Sequence, residues 1–194
     1  SGMKNLIYVR GDGCGDFVDT NSASDWQIRW QLLGGSAHCG EREHTGTFSI
    51  TPLIGPENGI HDVLSWINGA EDSLHIHIYQ FHSDVLAEAL IDAHERGVSI
   101  TVVIDAGDSW WTDYELEQNK GIAVTLLQAG IDVKWFGTSS SDPYLFLHSK
   151  IGVRDSESVW ISTGNWKQSS LPAMGEAGNR EWGMILENDV FAQS

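Results

Sequence analysis

Apolar positions along the chain fall into two regimes. Up to about residue 50 they form short runs among glycine, aspartate, asparagine and serine. Asn5 to Arg10 is strand-like there, and Trp26, Ile28, Trp30 and Leu32 alternate, which predicts a second strand. Further on, helical and strand periods succeed each other. Ile60, Val63, Leu64 and Ile67 fall at helical spacing, with Gly69 as the stop. Leu74 to Phe81 reads as a strand, with Leu74, Ile76 and Ile78 on one face and His75, His77, Tyr79 and Phe81 on the other. Ser83 caps a helix whose Leu86, Leu90 and Ala93 share a face, and Gly97 ends it.

Val98 to Ile104 is nearly continuous in β-branched residues, the pattern of a buried strand. A helix feeding such a strand is the βαβ pattern of a parallel sheet. Thr112 to Glu115 reads as a capping box, opening a helix to Ala129 with a break offered at Lys120-Gly121. Ile131 to Phe136 is the next strand. The loop Gly137 to Pro143 comes after it, and the apolar setting of Leu145, Phe146, Leu147, Ile151 and Val153 makes a strand that presents His148 and Lys150 on one face. Val159 to Ile161 resumes as a short strand. The loop after Asn165 suits a flexible rim. Glu181 to Glu187 is a final strand, with Met184 and Leu186 on one face and Trp182 and Ile185 elsewhere. The fold class is therefore α/β, a mixed sheet with helices on both faces.

Length and charge narrow the picture. The 194 residues, 41% of them apolar, suffice for one domain with a proper core, and no apolar run is long enough to cross a membrane. Five lysines and six arginines face 27 acids, for a net charge of −16. That weighs against broad, nonspecific nucleic-acid binding, which needs a basic surface. Cys14 and Cys39 sit in Gly-rich, loop-like surroundings. A disulfide in a secreted protein is the favoured reading; two free thiols in a cytosolic protein is the alternative. Ser1-Gly2 before Met3 reads as a cloning scar. Residues 3–50 form an N-terminal strand and loop extension, and 51–194 the main domain. His38, Glu41, Glu43 and His44 cluster as a solvated loop, and His75 and His77 share a face without a third ligand, so no metal is expected.

The candidate chemistry lies between His148 and Glu181. An imidazole can attack phosphorus, and a lysine ammonium beside it can hold non-bridging oxygens. The hydroxyl of Thr163 and the amide of Asn165 can donate to the same oxygens. Glu181 can accept from the second imidazole nitrogen and fix its tautomer. Composition alone gives H-x-K-x4-D in about one such chain in seventy, and with Asn at this offset in about one in two thousand. The spacing therefore carries information.

His148-Ser-Lys150-x4-Asp155, then Ser162-Thr163-Gly164-Asn165, resembles the HKD motif of the phospholipase D superfamily, H-x-K-x4-D-x6-G-S-x-N. The family's Gly-Ser stands here as Ser162-Thr163, which keeps the hydroxyl. The segment from Gly178 to Asn188 resembles the family's segment after the motif, with Glu181 at the position of the carboxylate that bonds the catalytic histidine. The resemblance runs from about Thr51 to the end. It implies a phospholipase D-like α/β/α sandwich with a mixed, largely parallel sheet, here with a small N-terminal β and loop decoration. It also implies metal-independent phosphodiester hydrolysis or transphosphatidylation through a phosphohistidine, with no cofactor.

On this reading His148, Lys150 and Glu181 are catalytic, Lys150, Thr163 and Asn165 bind phosphate, and Asp155 is structural, capping turn amides. Family members use two motifs and this chain has one. The second half is expected from a missing C-terminal part of the same chain or from a homodimer partner. The substrate is a phospholipid or a nucleic acid, with Trp110, Trp111, Trp166 and Trp182 as a candidate apolar rim. A homodimeric endonuclease and a non-catalytic binding or scaffold module of a larger secreted protein are the alternatives.

Overall fold

Alternation in the N-terminal part resolves into one antiparallel pair, β1 (Leu6–Arg10) and β2 (Trp26–Trp30), with Leu6 opposite Trp30. The structure, a computed structural model, describes these two strands and residues 46–107, 111–137 and 146–193. Contacts divide the chain into two units, Ser1–His44 and Thr45–Ser194. Cys14, Cys39, the cluster from His38 to His44, Trp110 and the loop 138–145 lie outside the described residues.

The second unit runs β3 (Ser49–Gly55), α1 (Gly59–Asn68), β4 (Ser73–Ile78), α2 (Asp84–Glu95), β5 (Ser99–Asp105), α3 (Asp113–Gln128), β6 (Asp132–Phe136), β7 (Lys150–Arg154), β8 (Ser158–Ser162), β9 (Glu181–Glu187) and α4 (Asp189–Ala192). Among the described residues, seven strands form one mixed sheet in the order β3-β9-β8-β7-β4-β5-β6. Of its ladders, β4-β5 and β5-β6 are parallel and the other four are antiparallel, so the sheet is mixed as expected but not largely parallel. The expected break at Lys120-Gly121 does not occur, and α3 runs through it under a complete capping box at Thr112 and Glu115.

Two parallel crossovers taken in the same direction, β4-α2-β5 and β5-α3-β6, put α2 and α3 on one face of the sheet by the right-handed rule, and the two helices pack together. Helix α1 packs beside α2, and its Trp66 meets the same face at Trp160. The three long helices thus make a single layer, where helices on both faces were expected. Leu74, Ile76, Ile78, Val102 and Ile104 point into that layer and join one core. The opposite face exposes Ile50, Trp182 and Met184. Trp182 shares this face with Met184 and Leu186, as period two requires, and not the face of Ile185. Phe81 and Trp166 also depart from expectation. The strand ends at Ile78, the alternation lapses, and the two rings pack in the core at 4.8 Å.

Two contacts fix β7 against β4. A Cβ on Gly152 would lie 2.6 Å from the ring of Trp66, so the indole needs a glycine beneath it. At the far end of β7, Asp155 and Ser156 both have positive φ, 53° and 55°, and Glu157 N closes the tight turn on Arg154 O. From this turn the Asp155 carboxylate accepts from the backbone amides of Glu71, Asp72 and Ser73 at 3.0, 2.8 and 2.7 Å. It ties the β7-β8 turn to the entry of β4. Partial burial opposes its ionisation, but the three amides outweigh that and hold its pKa below the usual range.

Gly152→Ala is expected to destabilise the protein by about 1–3 kcal/mol in urea melts, because the core must shift to admit a methyl group. Asp155→Ala should cost about 2–3 kcal/mol at neutral pH. A depressed carboxylate pKa stabilises above the unfolded value of about 4 and loses that contribution as pH falls through the native one, so the gap between wild type and variant should close in acid.

Candidate active site

The site forms where β4 ends and β7 begins. Because β4 and β7 are antiparallel, with Ile78 opposite Lys150, the residues just past β4 meet those that precede β7. His148 lies before the strand, in an extended segment, and not within it as the alternation suggested. That segment is anchored by the Leu147 amide, which donates to the buried Asp105 carboxylate at 2.5 Å.

Tyr79 is the shared wall. Its ring stands 4.7 Å from the His148 ring, centroid to centroid, and Lys150 Nζ sits 5.1 Å from its centroid, within cation–π reach. Trp111 packs edge-on to Tyr79 and donates to its hydroxyl at 2.6 Å. Lys150 Nζ donates to the His148 carbonyl at 2.8 Å, so the ammonium is pinned to the backbone of the residue it serves. Lys150 is 4% exposed. Burial, reinforced by the Lys167 ammonium, pushes its pKa down to about 8, while Glu181 and Asp105 hold it from falling further. His148 is exposed, but partial desolvation and the neighbouring Lys150 charge set its pKa below the ordinary imidazole value.

Glu181 departs from expectation. Its carboxylate accepts from the Thr163 hydroxyl at 2.6 Å, and no hydrogen bond joins it to His148. The sheet explains this: β8 lies between β9, where Glu181 begins, and β7, while Thr163 sits at the adjacent end of β8. Thr163 Oγ1 also accepts from Trp182 N at 3.0 Å, so its proton is committed to Glu181 and not held out for a phosphate oxygen. Asn165 Nδ2 donates to Gln80 Oε1 at 3.2 Å. Asp155 belongs to the other end of β7. Five residue steps along the strand, roughly 16 Å, separate it from Lys150, and it takes no part in the site.

A polar support beneath the site went unseen in the sequence. Gln80 donates to Glu115 at 3.1 Å, and Asn119, wholly buried, accepts from Phe81 N and donates to the carbonyls of Tyr79 and Asp105. The detectable signal was a polar residue on the buried face of α3. Beside this support, Ile60, Leu64, Val85, Leu171 and Met174 line an apolar cavity of about 500 Å³, with His82 and Gln168 also on its wall. Of the expected rim tryptophans, Trp166 is buried, Trp111 is engaged with Tyr79, and Trp182 lies on the open sheet face.

A mixed sheet with H-x-K at the mouth of its central antiparallel seam defines a phospholipase D-like fold. The family described as cardiolipin synthase, PLD-like domain, matches residues 63–194, well over half of the chain, and the chain belongs to it. A mitochondrial cardiolipin hydrolase from Xenopus laevis is 26% identical over 143 residues, 74% of this chain and 60% of that relative, so the chain spans well under two thirds of its length. Among solved structures, the phospholipase D family member Nuc from Salmonella typhimurium superposes with a TM-score of 0.62 at 21% identity, covering 76% of this chain and 88% of its own. NucT from Helicobacter pylori gives 0.58 at 17% identity, covering 75% and 89%. A phosphatidylserine synthase from Haemophilus influenzae gives 0.57 at 12% identity, covering 77% and 37%. These likenesses establish the fold.

A titration of the lysine side chains by NMR is expected to find Lys150 with a midpoint near 8, against about 10.4 for an ordinary lysine. A midpoint above 10 would mean that the ammonium is hydrated and that the site is not built as described.

Proposed function

We propose that this chain is a phosphodiesterase that works through a phosphohistidine and needs no metal. The juxtaposition of His148 and Lys150 around Tyr79 carries this reading. In the reaction, the neutral imidazole of one His148 forms a P–N bond as the P–O bond to the leaving alcohol breaks. A protonated imidazole from a second copy of the motif gives its proton to that oxygen, then takes one from the water or acceptor alcohol that releases the phosphate. A lowered pKa keeps His148 neutral for attack. Lys150 neutralises charge on the non-bridging oxygens, and Asn165 adds a neutral donor.

The second copy comes from a homodimer partner or from a further part of a longer chain. A net charge of −16 and the apolar cavity beside the site favour a diester with an apolar substituent, such as a phospholipid, over a nucleic acid.

Hydrolysis of bis(p-nitrophenyl) phosphate in excess chelator tests the reading. Turnover should persist in chelator and disappear in His148→Asn. Its alkaline limb should fall near pH 8 with the loss of the Lys150 proton, and Lys150→Arg should move that limb upward. Turnover abolished by chelator would overturn the metal-free mechanism. Phosphodiester binding without turnover, unchanged by His148→Asn in a protein shown to be dimeric, would point to a binding module.

A further inference from the structure

Two donors from the loop after β8 converge on one acceptor. Lys167 Nζ lies 2.6 Å and Asn165 Nδ2 3.2 Å from Gln80 Oε1. Gln80 is 5% exposed and fixed at its other end, where Nε2 donates to Glu115 Oε1 at 3.1 Å. Glu115 is itself immobilised, since its second oxygen accepts from the Thr112 amide and hydroxyl at 3.0 and 2.9 Å. The backbone on both sides is locked as well, with Trp166 N donating to Gln80 O at 3.0 Å. The Gln80 amide is thus a fixed acceptor, and it directs Lys167 and Asn165 to one place.

Neither donor is exhausted by that contact. An ammonium carries three N–H groups and a primary amide two, and Gln80 takes one from each. Among the described residues, neither Lys150 nor Lys167 forms an ion pair, although 27 acids occur in the chain. Lys167 is also close enough to oppose the charge on Lys150. Two ammoniums that repel each other at a partly desolvated point, neither of them paired with a carboxylate among the described residues, form an arrangement that an arriving anion relieves.

We propose that Lys167, outside the motif, is a second phosphate-binding cation of this site, aimed by the buried Gln80 so that Lys150, Lys167 and Asn165 share the non-bridging oxygens of one phosphodiester. Gln80 is a positioning residue. The inference rests on reading the site as one that binds phosphate, but not on turnover.

Calorimetric titration of the whole chain with inorganic phosphate tests it, using wild type, Lys167→Met, Lys167→Arg and Lys150→Met. Lys167→Met should weaken phosphate at least about tenfold, as loss of a charge-assisted contact implies, and Lys167→Arg should recover most of the affinity. In the same Lys167→Met protein the Lys150 titration should move up from about 8, as the loss of an ammonium close enough to share an anion with Lys150 requires. Affinity lost in Lys150→Met but unchanged in Lys167→Met would overturn the proposal and leave the phosphodiesterase reading standing. Wild type that binds no phosphate would overturn both. If Lys167→Met unfolds, Lys167→Gln, which keeps a polar end, takes its place with the same expected loss.

Discussion

The antiparallel pairing of β4 with β7 is the constraint on which the rest of the second unit depends. It is the seam between the parallel strands β4-β5-β6 and the antiparallel strands β7-β8-β9-β3. Its register decides what the site contains. A slip of one residue would turn Lys150 to the open face and bring Ile151 to the site. Gly152 prevents that slip, because only a residue without a side chain fits beneath Trp66. Asp155 secures the far end of the seam by holding three amides at the entry of β4. The aspartate of the motif therefore acts on the chemistry at a distance of a whole strand, by fixing where that strand begins.

At the near end, the electrostatics run against the character of the chain. A protein with a net charge of −16 gathers Lys150 and Lys167 at one end of its central strands. Lys150 is buried there at a cost: the unfolded chain holds that proton more tightly than the folded one, so the lysine destabilises the fold at neutral pH. Asp105 and Glu181 offset part of the cost without pairing directly with the ammonium. Asp105 is committed to the amides of Leu147 and Gly107, and Glu181 to the Thr163 hydroxyl. The carboxylates raise the lysine's pKa by their charge without forming an ion pair with it, which leaves its N–H groups to face a ligand.

Local pattern made much of this legible. Period-two and helical spacings located the strands and helices, and the H-x-K-x4-D spacing placed Lys150 and Asp155 at opposite ends of one strand. The features that the sequence left obscure depend on pairing between distant segments. Gln80 meets Glu115 and Lys167, 35 and 87 residues away, and nothing in the neighbourhood of any of them announces the contact. Phe81 falls outside the strand alternation because the ladder stops at Ile78, and Trp166, expected at an apolar rim, packs against it in the core. Glu181 was assigned to His148 by resemblance, while the strand order sets Thr163 beside it instead. The single helical layer results from the direction of two successive crossovers, which no periodicity encodes.

The proposed mechanism asks more of this site than one copy of the motif contains. Attack needs a neutral imidazole, and departure of the alcohol needs a protonated one. Desolvation and Lys150 favour the neutral form of His148. The other imidazoles of the central strand do not supply the acid. His75 and His77 occupy the open face of β4, away from the layer into which Ile76 and Ile78 point. His82 lies near Lys167, but burial and that ammonium lower its pKa, which favours the neutral imidazole over the acid. A proton donor must therefore enter from outside this set. The exposure of His148, beside a lysine that is almost wholly buried, leaves the approach open for the imidazole of a second motif. Once a phosphoryl oxygen stands against that second imidazole, its pKa rises, and the histidines of the two motif copies can divide the roles of nucleophile and acid.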